Sequence, residues 1–168
     1  ASAYLVSELK KLELTPAGTS GQWFQEFGSE WRNVLALIPG SDPQRSRELI
    51  VVGAHYDHVG YGNAGNSRGP FGYVHNGADD NASGCAIALE TARVLKLNGF
   101  QPEATVRFVT YAAEELVGYT EISGSMVHAD RLHAAGEDLR LHICNDMTAF
   151  TPGPGNKIWG VAEQTGPN

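Results

Sequence analysis

The sequence predicts an α/β fold with a central, mostly parallel mixed sheet that is flanked by helices on both faces. Strand-like apolar runs alternate with helical patterns along the chain, which is typical of this class. One run, residues 49–54 (LIVVGA), is nearly all apolar, as expected for a strand covered on both faces. The length of 168 residues fits one domain, and no internal repeat or linker divides it. We therefore expect residues 1–168 to form a single domain.

The first elements are predicted from the spacing of apolar residues and from turn residues. Leu5, Leu9 and Leu12 lie at helical spacing and predict an amphipathic helix over residues 1–12. A polar stretch without a predicted element continues to residue 32. Residues 33–38 (NVLALI) read as a strand, because a Pro- and Gly-rich turn at 39–43 closes them. The apolar run at 49–54 is the second strand.

The second half repeats the alternation after a long Gly-rich loop at residues 59–77. Such a loop inside a domain is usually functional. A buried helix is predicted next, with Asn81 or Ser83 as its N-terminal cap. The further predicted elements share clear apolar patterning and are a helix at 82–97, a strand at 105–112, a helix at 122–134, a strand at 140–147 and a strand at 157–162.

Composition excludes some classes of function. The net charge is −7 and the pI is about 5.3, which argues against a nucleic-acid-binding surface. No apolar run approaches the roughly 18 residues of a membrane span, and no Lys/Arg cluster indicates a membrane surface. Cys85 and Cys144 lie among apolar neighbours and are expected to be buried free thiols. The cysteines therefore do not decide the cellular compartment.

Acidic residues and a histidine follow the predicted strands where those strands end. In open α/β sheets, ligands bind outside the carboxyl ends of the strands. Four separate segments deliver His, Asp or Glu to this edge, namely His55 with Asp57, Asp80, Glu114 with Glu115, and Asp146. Imidazole and carboxylate groups are ligands of zinc and similar divalent ions. The sequence therefore predicts a metal site at this edge of the sheet.

Two metal ions about 3.5–4 Å apart can share a carboxylate and activate a water molecule for hydrolysis. Such a centre needs one bridging carboxylate, further ligands on each ion, and one free carboxylate as general base. The adjacent pair Glu114 and Glu115 can supply a ligand and a base, because neighbouring side chains at a strand end point to different sides.

Four sequence blocks together resemble a known family. They are His55-x-Asp57, the eight residues 77–84 (GADDNASG), Glu114-Glu115 and Asn145-Asp146-Met147. They are similar to the co-catalytic, two-zinc aminopeptidase family, which includes secreted bacterial leucyl-type aminopeptidases, glutamate carboxypeptidases and glutaminyl cyclases. The resemblance implies a zinc exopeptidase-like fold and one metallopeptidase catalytic domain, of which residues 1–168 represent the N-terminal two thirds. It also implies a peptide substrate and a secreted or periplasmic location.

The resemblance also implies a role for each site residue. His55 and Asp146 bind the first metal, Asp80 bridges both metals, and Glu115 binds the second metal. Glu114 is the general base, which takes a proton from the metal-activated water and passes it to the leaving amine. Asp57 hydrogen-bonds the His55 imidazole and fixes its tautomer. The neighbouring Asp79 is expected to be structural.

The last metal ligand of the family is a His beyond the Asp146 strand, and no His follows His142 here. The remaining part could come from a longer protein or a second chain, or the protein could have lost part of its activity. We expect this chain to bind one zinc ion better than two and to hydrolyse peptides weakly or not at all. The other histidines are expected to be surface, loop or hydrogen-bonded residues rather than ligands, and they are His58, His75, His128, His133 and His142.

Two other functions compete with an aminopeptidase. A glutaminyl cyclase shares the fold and uses a single zinc ion, but its usual block after the loop differs from residues 79–84 (DDNASG). A non-catalytic binding module on a peptidase fold is the third candidate. Such relatives typically lose ligands, whereas this chain retains them up to Asp146.

Overall fold

The computed structural model describes residues 1–67, 69–116, 122–149 and 161–163, the last three by their backbone only. Among these residues, no helix is both long enough and apolar enough to cross a membrane. The predicted strand at 157–162 lies mostly outside the described residues.

Seven strands and three helices make up the described fold. The strands are β1 (Thr15–Pro16), β2 (Phe24–Phe27), β3 (Trp31–Ile38), β4 (Glu48–His55), β5 (Thr105–Tyr111), β6 (Asp138–Cys144) and β7 (Val161–Glu163). The helices are α1 (Ser2–Lys11), α2 (Gly84–Leu97) and α3 (Gly124–Ala135). A short 3-10 turn spans Thr19–Gly21, and an irregular turn spans Ala78–Ser83 immediately before α2.

All seven strands form one mixed sheet in the order β1-β3-β5-β4-β6-β7, with β2 also paired to β3. Strand β4 pairs in parallel with β5 on one side and with β6 on the other. The outer pairings, β3 with β5 and β6 with β7, are antiparallel. The predicted α/β class with a mixed sheet is therefore confirmed, and its parallel part is the centre, where β4, β5 and β6 end at the same edge.

Helices cover both faces of the sheet, as predicted. Alternate residues of β4 point to opposite faces, so Val52 packs in one apolar cluster and Val51 in another. Helices α1 and α2 contribute Leu5 and Ala88 to the first cluster. Helix α3 contributes Leu132 to the second. The core therefore lies in two layers that hold the central strands rigidly.

Several details differ from the expectations. Strands β1 and β2 lie in the stretch for which the sequence predicts no element, although the Gly28 turn that joins β2 to β3 is a hairpin signal. The predicted strand at 140–147 ends at Cys144, which leaves Asp146 beyond it. Helix α2 is buried on one face only, and Leu97 is exposed. Cys85 is a buried free thiol as predicted, whereas Cys144 is exposed because it lies at the end of its strand.

Candidate metal centre

The centre forms around His55, the last residue of β4, which is only 4% exposed. Its Nε2 atom lies 3.0 Å from Oδ1 of Asp80, 3.5 Å from Oδ1 of Asp146 and 3.9 Å from Oε2 of Glu114. The three carboxylates come from the turn before α2, from the segment after β6 and from the segment after β5. The strand ends thus bring four distant parts of the chain together, as the sequence predicts.

Two groups of three side chains have the spacing that a metal ion requires. The first group is His55, Asp80 and Asp146, and their donor atoms all lie within 4.8 Å of one another. Donor atoms of a tetrahedral zinc site, each about 2.0–2.1 Å from the ion, are about 3.3 Å apart. The distances of 3.0 and 3.5 Å from His55 Nε2 lie on either side of that value. This group could therefore hold a divalent ion.

The second group contains Glu115, Asp80 and a residue that sequence reasoning set aside, His58. Nδ1 of His58 lies 3.0 Å from Oε1 of Glu115. Asp80 belongs to both groups, so its carboxylate lies where a bridging ligand would be needed. His58 was expected to be a loop or hydrogen-bonded residue rather than a ligand, and it lies in the loop after β4 within hydrogen-bonding distance of Glu115, beside the centre. Its position three residues after His55, at the same strand end, is the signal that could have found it.

The two adjacent glutamates occupy different positions. The carboxylate of Glu115 belongs to the second group, whereas that of Glu114 belongs to neither group in the described part of the chain. The side chain of Glu114 is 46% exposed and that of Glu115 is 17% exposed. Burial raises the pKa of Glu114, and the nearby carboxylates raise it further, while His55 opposes them. Glu114 therefore has the character of a proton acceptor beside the centre.

Asp57 lies beside the His55 imidazole and also contacts the backbone of the glutamate pair. Its Oδ1 lies 3.6 Å from His55 Nδ1, slightly longer than a hydrogen bond, and this buried Nδ1 atom has no hydrogen bond to any of the described residues. The carboxylate also accepts hydrogen bonds from the backbone N–H groups of Glu114, at 3.2 Å, and Glu115, at 3.1 Å. Burial alone would raise the pKa of Asp57, but His55 and these two donors bring it below its usual value. Asp57 thus fixes the backbone of the glutamate pair.

The protonation of His55 depends on the carboxylates around it. Burial lowers the pKa of His55, but Asp57, Glu114 and Asp146 together outweigh burial and raise it to about 9. In the metal-free protein the imidazole is therefore protonated at neutral pH. Because a ligand imidazole must be neutral, a metal ion has to displace this proton.

A hydrogen-bonded frame holds the turn before α2 against the segment after β6. Oδ1 of Asp79 accepts hydrogen bonds from the backbone N–H of Ala149, at 2.8 Å, and from the hydroxyl of Ser83, at 3.0 Å. The Asn81 amide donates to the carbonyl of Asn145 at 2.9 Å. Residues 81–83 (NAS) match a glycosylation sequon. Asn81 is only 2% exposed and its amide is hydrogen-bonded, so it is not accessible to a glycan. The frame positions Asp80 opposite Asp146. Asp79 stabilises the turn through its hydrogen bonds, in agreement with the structural role expected for it.

Three other histidines, His75, His128 and His142, belong to neither group, although the ring of His75 lies 6.1 Å from that of His58. His128 is buried on the α3 face, where Nδ1 lies 3.2 Å from the Tyr111 hydroxyl. Burial lowers its pKa to about 3, so the ring is neutral. The same hydroxyl lies 3.2 Å from Nε2 of His142. His75 lies in the Gly-rich loop beside Ser67. These positions agree with the expectation of loop or hydrogen-bonded residues.

Comparison with known proteins connects this geometry to a family. The sequence matches Peptidase family M28 over residues 33–165. A probable leucine aminopeptidase of Arthroderma otae is 30% identical over 158 residues, which cover 89% of this chain and 38% of that protein. The chain spans between 30% and 40% of the length of the curated relatives it matches.

Two solved structures share the fold. The LapA aminopeptidase of Legionella pneumophila superposes with a TM-score of 0.65 at 24% identity, over 88% of this chain and 36% of that one. A Zn-dependent exopeptidase of Parabacteroides distasonis superposes with a TM-score of 0.60 at 24% identity, over 87% of this chain and 52% of that one. The family match covers most of the chain, including every residue of both donor groups. The chain belongs to Peptidase family M28.

Proposed function

We propose that this chain carries the metal centre of a zinc-dependent aminopeptidase, within a single metallopeptidase catalytic domain. One observation carries the proposal. The carboxylate of Asp80 is shared between two groups of potential ligands, and the carboxylate of Glu114 lies beside them without belonging to either. The similarity to a probable leucine aminopeptidase supports a peptide substrate that is cut at its N-terminus.

The proposed roles are those that the family resemblance implies, and the two donor groups support them. His55, Asp80 and Asp146 would hold the first ion, and Asp80 and Glu115 would hold the second ion. Bound there, a divalent ion would supply Lewis acidity toward the substrate carbonyl and toward water. Glu114 accepts a proton from the attacking water and gives it to the leaving amine. Asp57 positions both glutamates through their backbone N–H groups.

Glutaminyl cyclase and a non-catalytic binding module are weaker candidates. The aminopeptidase is supported by the three donor side chains of the first group and by the Glu114 carboxylate, 3.9 Å from Nε2 of His55. A binding module would not need this arrangement. A secreted or periplasmic location rests on the family resemblance, and detection of the protein in the culture medium or periplasmic fraction of its source tests it.

The function is tested with the zinc-loaded chain, a leucyl anilide and an N-terminal glutaminyl peptide. We expect slow, chelator-sensitive hydrolysis of the anilide and no cyclisation of the glutaminyl peptide. The substitution Glu114→Gln removes the proton acceptor and should lower kcat about 10²–10⁴-fold, with zinc content unchanged. Equal turnover in the zinc-loaded wild type and Glu114→Gln would contradict the role of Glu114. Cyclisation of the peptide would instead favour the glutaminyl cyclase.

A further inference from the structure

His58 lies beside the proposed metal centre without a role in the mechanism above. We propose that His58 is itself a metal ligand, whose Nδ1 atom completes a second divalent-cation site with Asp80 and Glu115. The inference rests on the proposed function, because it concerns the second ion of the same centre. It adds a ligand to the second site, which would then have three protein ligands among the described residues, namely His58, Asp80 and Glu115.

The spacing of the donor atoms supports the site. Nδ1 of His58, a carboxylate oxygen of Asp80 and one of Glu115 all lie within 4.8 Å of one another. The separation of 3.0 Å between His58 Nδ1 and Glu115 Oε1 equals that between His55 Nε2 and Asp80 Oδ1 in the first group. One nitrogen and two oxygen donors form a ligand set that zinc accepts, and the fourth position stays open to water or substrate.

The backbone opposite His58 keeps its ring in this position. Gly77 has a φ of +64°, and a Cβ atom there would lie 2.8 Å from Cγ of His58 and 2.8 Å from the carbonyl oxygen of Asp80. The ring therefore packs directly against the chain that carries Asp80. Only a glycine allows both this conformation and this close contact. The imidazole is held between the turn on one side and Glu115 on the other.

The burial of the side chains also suits a ligand. The His58 and Glu115 side chains are 20% and 17% exposed, so both are largely withdrawn from water. An ion that binds both would also balance the negative charges of the Asp80 and Glu115 carboxylates, which belong to the same group. A hydrogen bond from His58 to Glu115 would satisfy the same 3.0 Å distance. The experiment must therefore separate a ligand from a hydrogen-bond donor.

The substitution His58→Asn makes that separation. An asparagine amide can still donate a hydrogen bond to Glu115, but it is a poor zinc ligand. The 168-residue chain and its variants are dialysed against buffered zinc, and bound zinc is measured per chain together with each dissociation constant. His133→Asn, on the exposed surface of α3, is the matched control for adventitious binding to a surface histidine. Circular dichroism verifies that each variant is folded.

We expect two zinc ions on the wild type and on His133→Asn, and one tightly held ion on His58→Asn. The affinity of the second ion should fall by more than about 100-fold, since the loss of a group that only orients a ligand typically costs 10–100-fold. Two ions of near wild-type affinity on His58→Asn would overturn the proposal. If the wild type binds a single ion and His55→Asn binds none, the proposal for the second site is also overturned, but the first site of the proposed function is supported. No zinc on the wild type would contradict the proposed function as well.

Discussion

Asp57 shows how one carboxylate can organise two neighbouring residues beside the centre. It was expected to orient the His55 imidazole, and its two hydrogen bonds in the structure go to the backbone N–H groups of Glu114 and Glu115. The residue before this pair, Ala113, has a φ of +61°, an unfavourable conformation for a residue with a side chain. The carboxylate of Asp57 thus holds a strained segment in the form that directs the two glutamates to different places.

The substitution Asp57→Asn tests this role. An amide offers one acceptor in place of two, and its NH2 group would face a backbone N–H. We expect zinc affinity to fall about 10–100-fold and the free energy of unfolding to fall by about 1–3 kcal/mol. Zinc titration and urea unfolding measure the two effects.

A control for Asp57→Asn exists at Asp42, whose Oδ1 also accepts two backbone N–H groups, from Gln44 and Arg45, in an exposed turn. Asp42→Asn should lower stability without changing zinc affinity. If both variants bind zinc as the wild type does, Asp57 does not position the centre.

The raised pKa of His55 predicts how the metal-free protein responds to pH. Its pKa is about 6.5 in the unfolded chain and about 9 in the folded one, so the folded state binds the proton more tightly. The stabilisation is therefore complete below pH 6.5 and is lost as the pH rises through 9. Burial and neighbouring acids raise the pKa of Glu114 and Glu115 as well. The free energy of unfolding therefore also decreases as the pH rises through the more acidic range in which these two groups lose their protons.

We expect the metal-free free energy of unfolding to decrease by about 1–2 kcal/mol between pH 6.5 and pH 9, allowing for solvent screening of the exposed acids. Urea unfolding in the presence of a chelator measures it. His55→Gln should remove most of the difference. Stability that increases over this range would contradict the protonated state of His55.

At the scale of elements, the irregular turn Ala78–Ser83 determines where the shared carboxylate lies. A regular helix through this segment would leave Asp80 on the helix surface, but the backbone of Asp80 and Asn81 departs from helical geometry. The turn is fastened to the segment after β6 through Asn81 and Asp79. The sequence predicts a helix that starts nearby, and it does not reveal this departure, because the bonds that hold it come from residues more than sixty positions away.

Gly77, at the start of this turn, gives a prediction with an internal reference. Gly77 and Gly60 both have a positive φ, +64° and +66°, but a Cβ atom at Gly60 would meet nothing within 4 Å. Gly60→Ala should lower the free energy of unfolding by about 1–2 kcal/mol, because alanine disfavours the left-handed backbone conformation at this position. Gly77→Ala adds the contacts with His58 and Asp80, so we expect a total of about 2–4 kcal/mol and weaker zinc binding. Thermal unfolding and zinc titration compare the two variants, and equal effects would show that the contact is unimportant.

At the scale of the whole molecule, the features that the sequence predicts are those with a local pattern of residues. The apolar run of β4 predicts a buried central strand, and the acids that follow β4, β5 and β6 predict a common site, because parallel strands end at one edge. The place of His58 at the end of β4 follows from its spacing to His55, but its contacts with Glu115 and with the turn at Gly77 were not predictable. The hydrogen bonds of Asp57 to the backbone of Glu114 and Glu115 were not predictable either. These contacts join segments far apart in the chain, and no local pattern encodes them.

Zinc should stabilise the whole domain, because the ligands of both groups converge only in the folded chain. At a free zinc concentration of 100 times the dissociation constant, binding adds about 2.7 kcal/mol to the free energy of unfolding. For a chain of this size the melting temperature should rise by about 5–10 °C. Differential scanning calorimetry with zinc and with a chelator measures the shift. His55→Asn should lose most of it, and an undiminished shift in that variant would place the stabilising ion elsewhere.

The pairing of the central strands has a consequence for how the protein folds. Leu49 of β4 lies beside Thr105 on one side and Leu139 on the other, both far along the chain. Closing such long loops is slow, and chains dominated by distant pairings typically fold in milliseconds to seconds. Asp146 follows β6, so it is brought to His55 by the pairing of β4 with β6. Zinc therefore cannot bind all three side chains of the first group before this pairing forms. The appearance of tight zinc binding after dilution from denaturant should follow the refolding phase in which the central sheet forms.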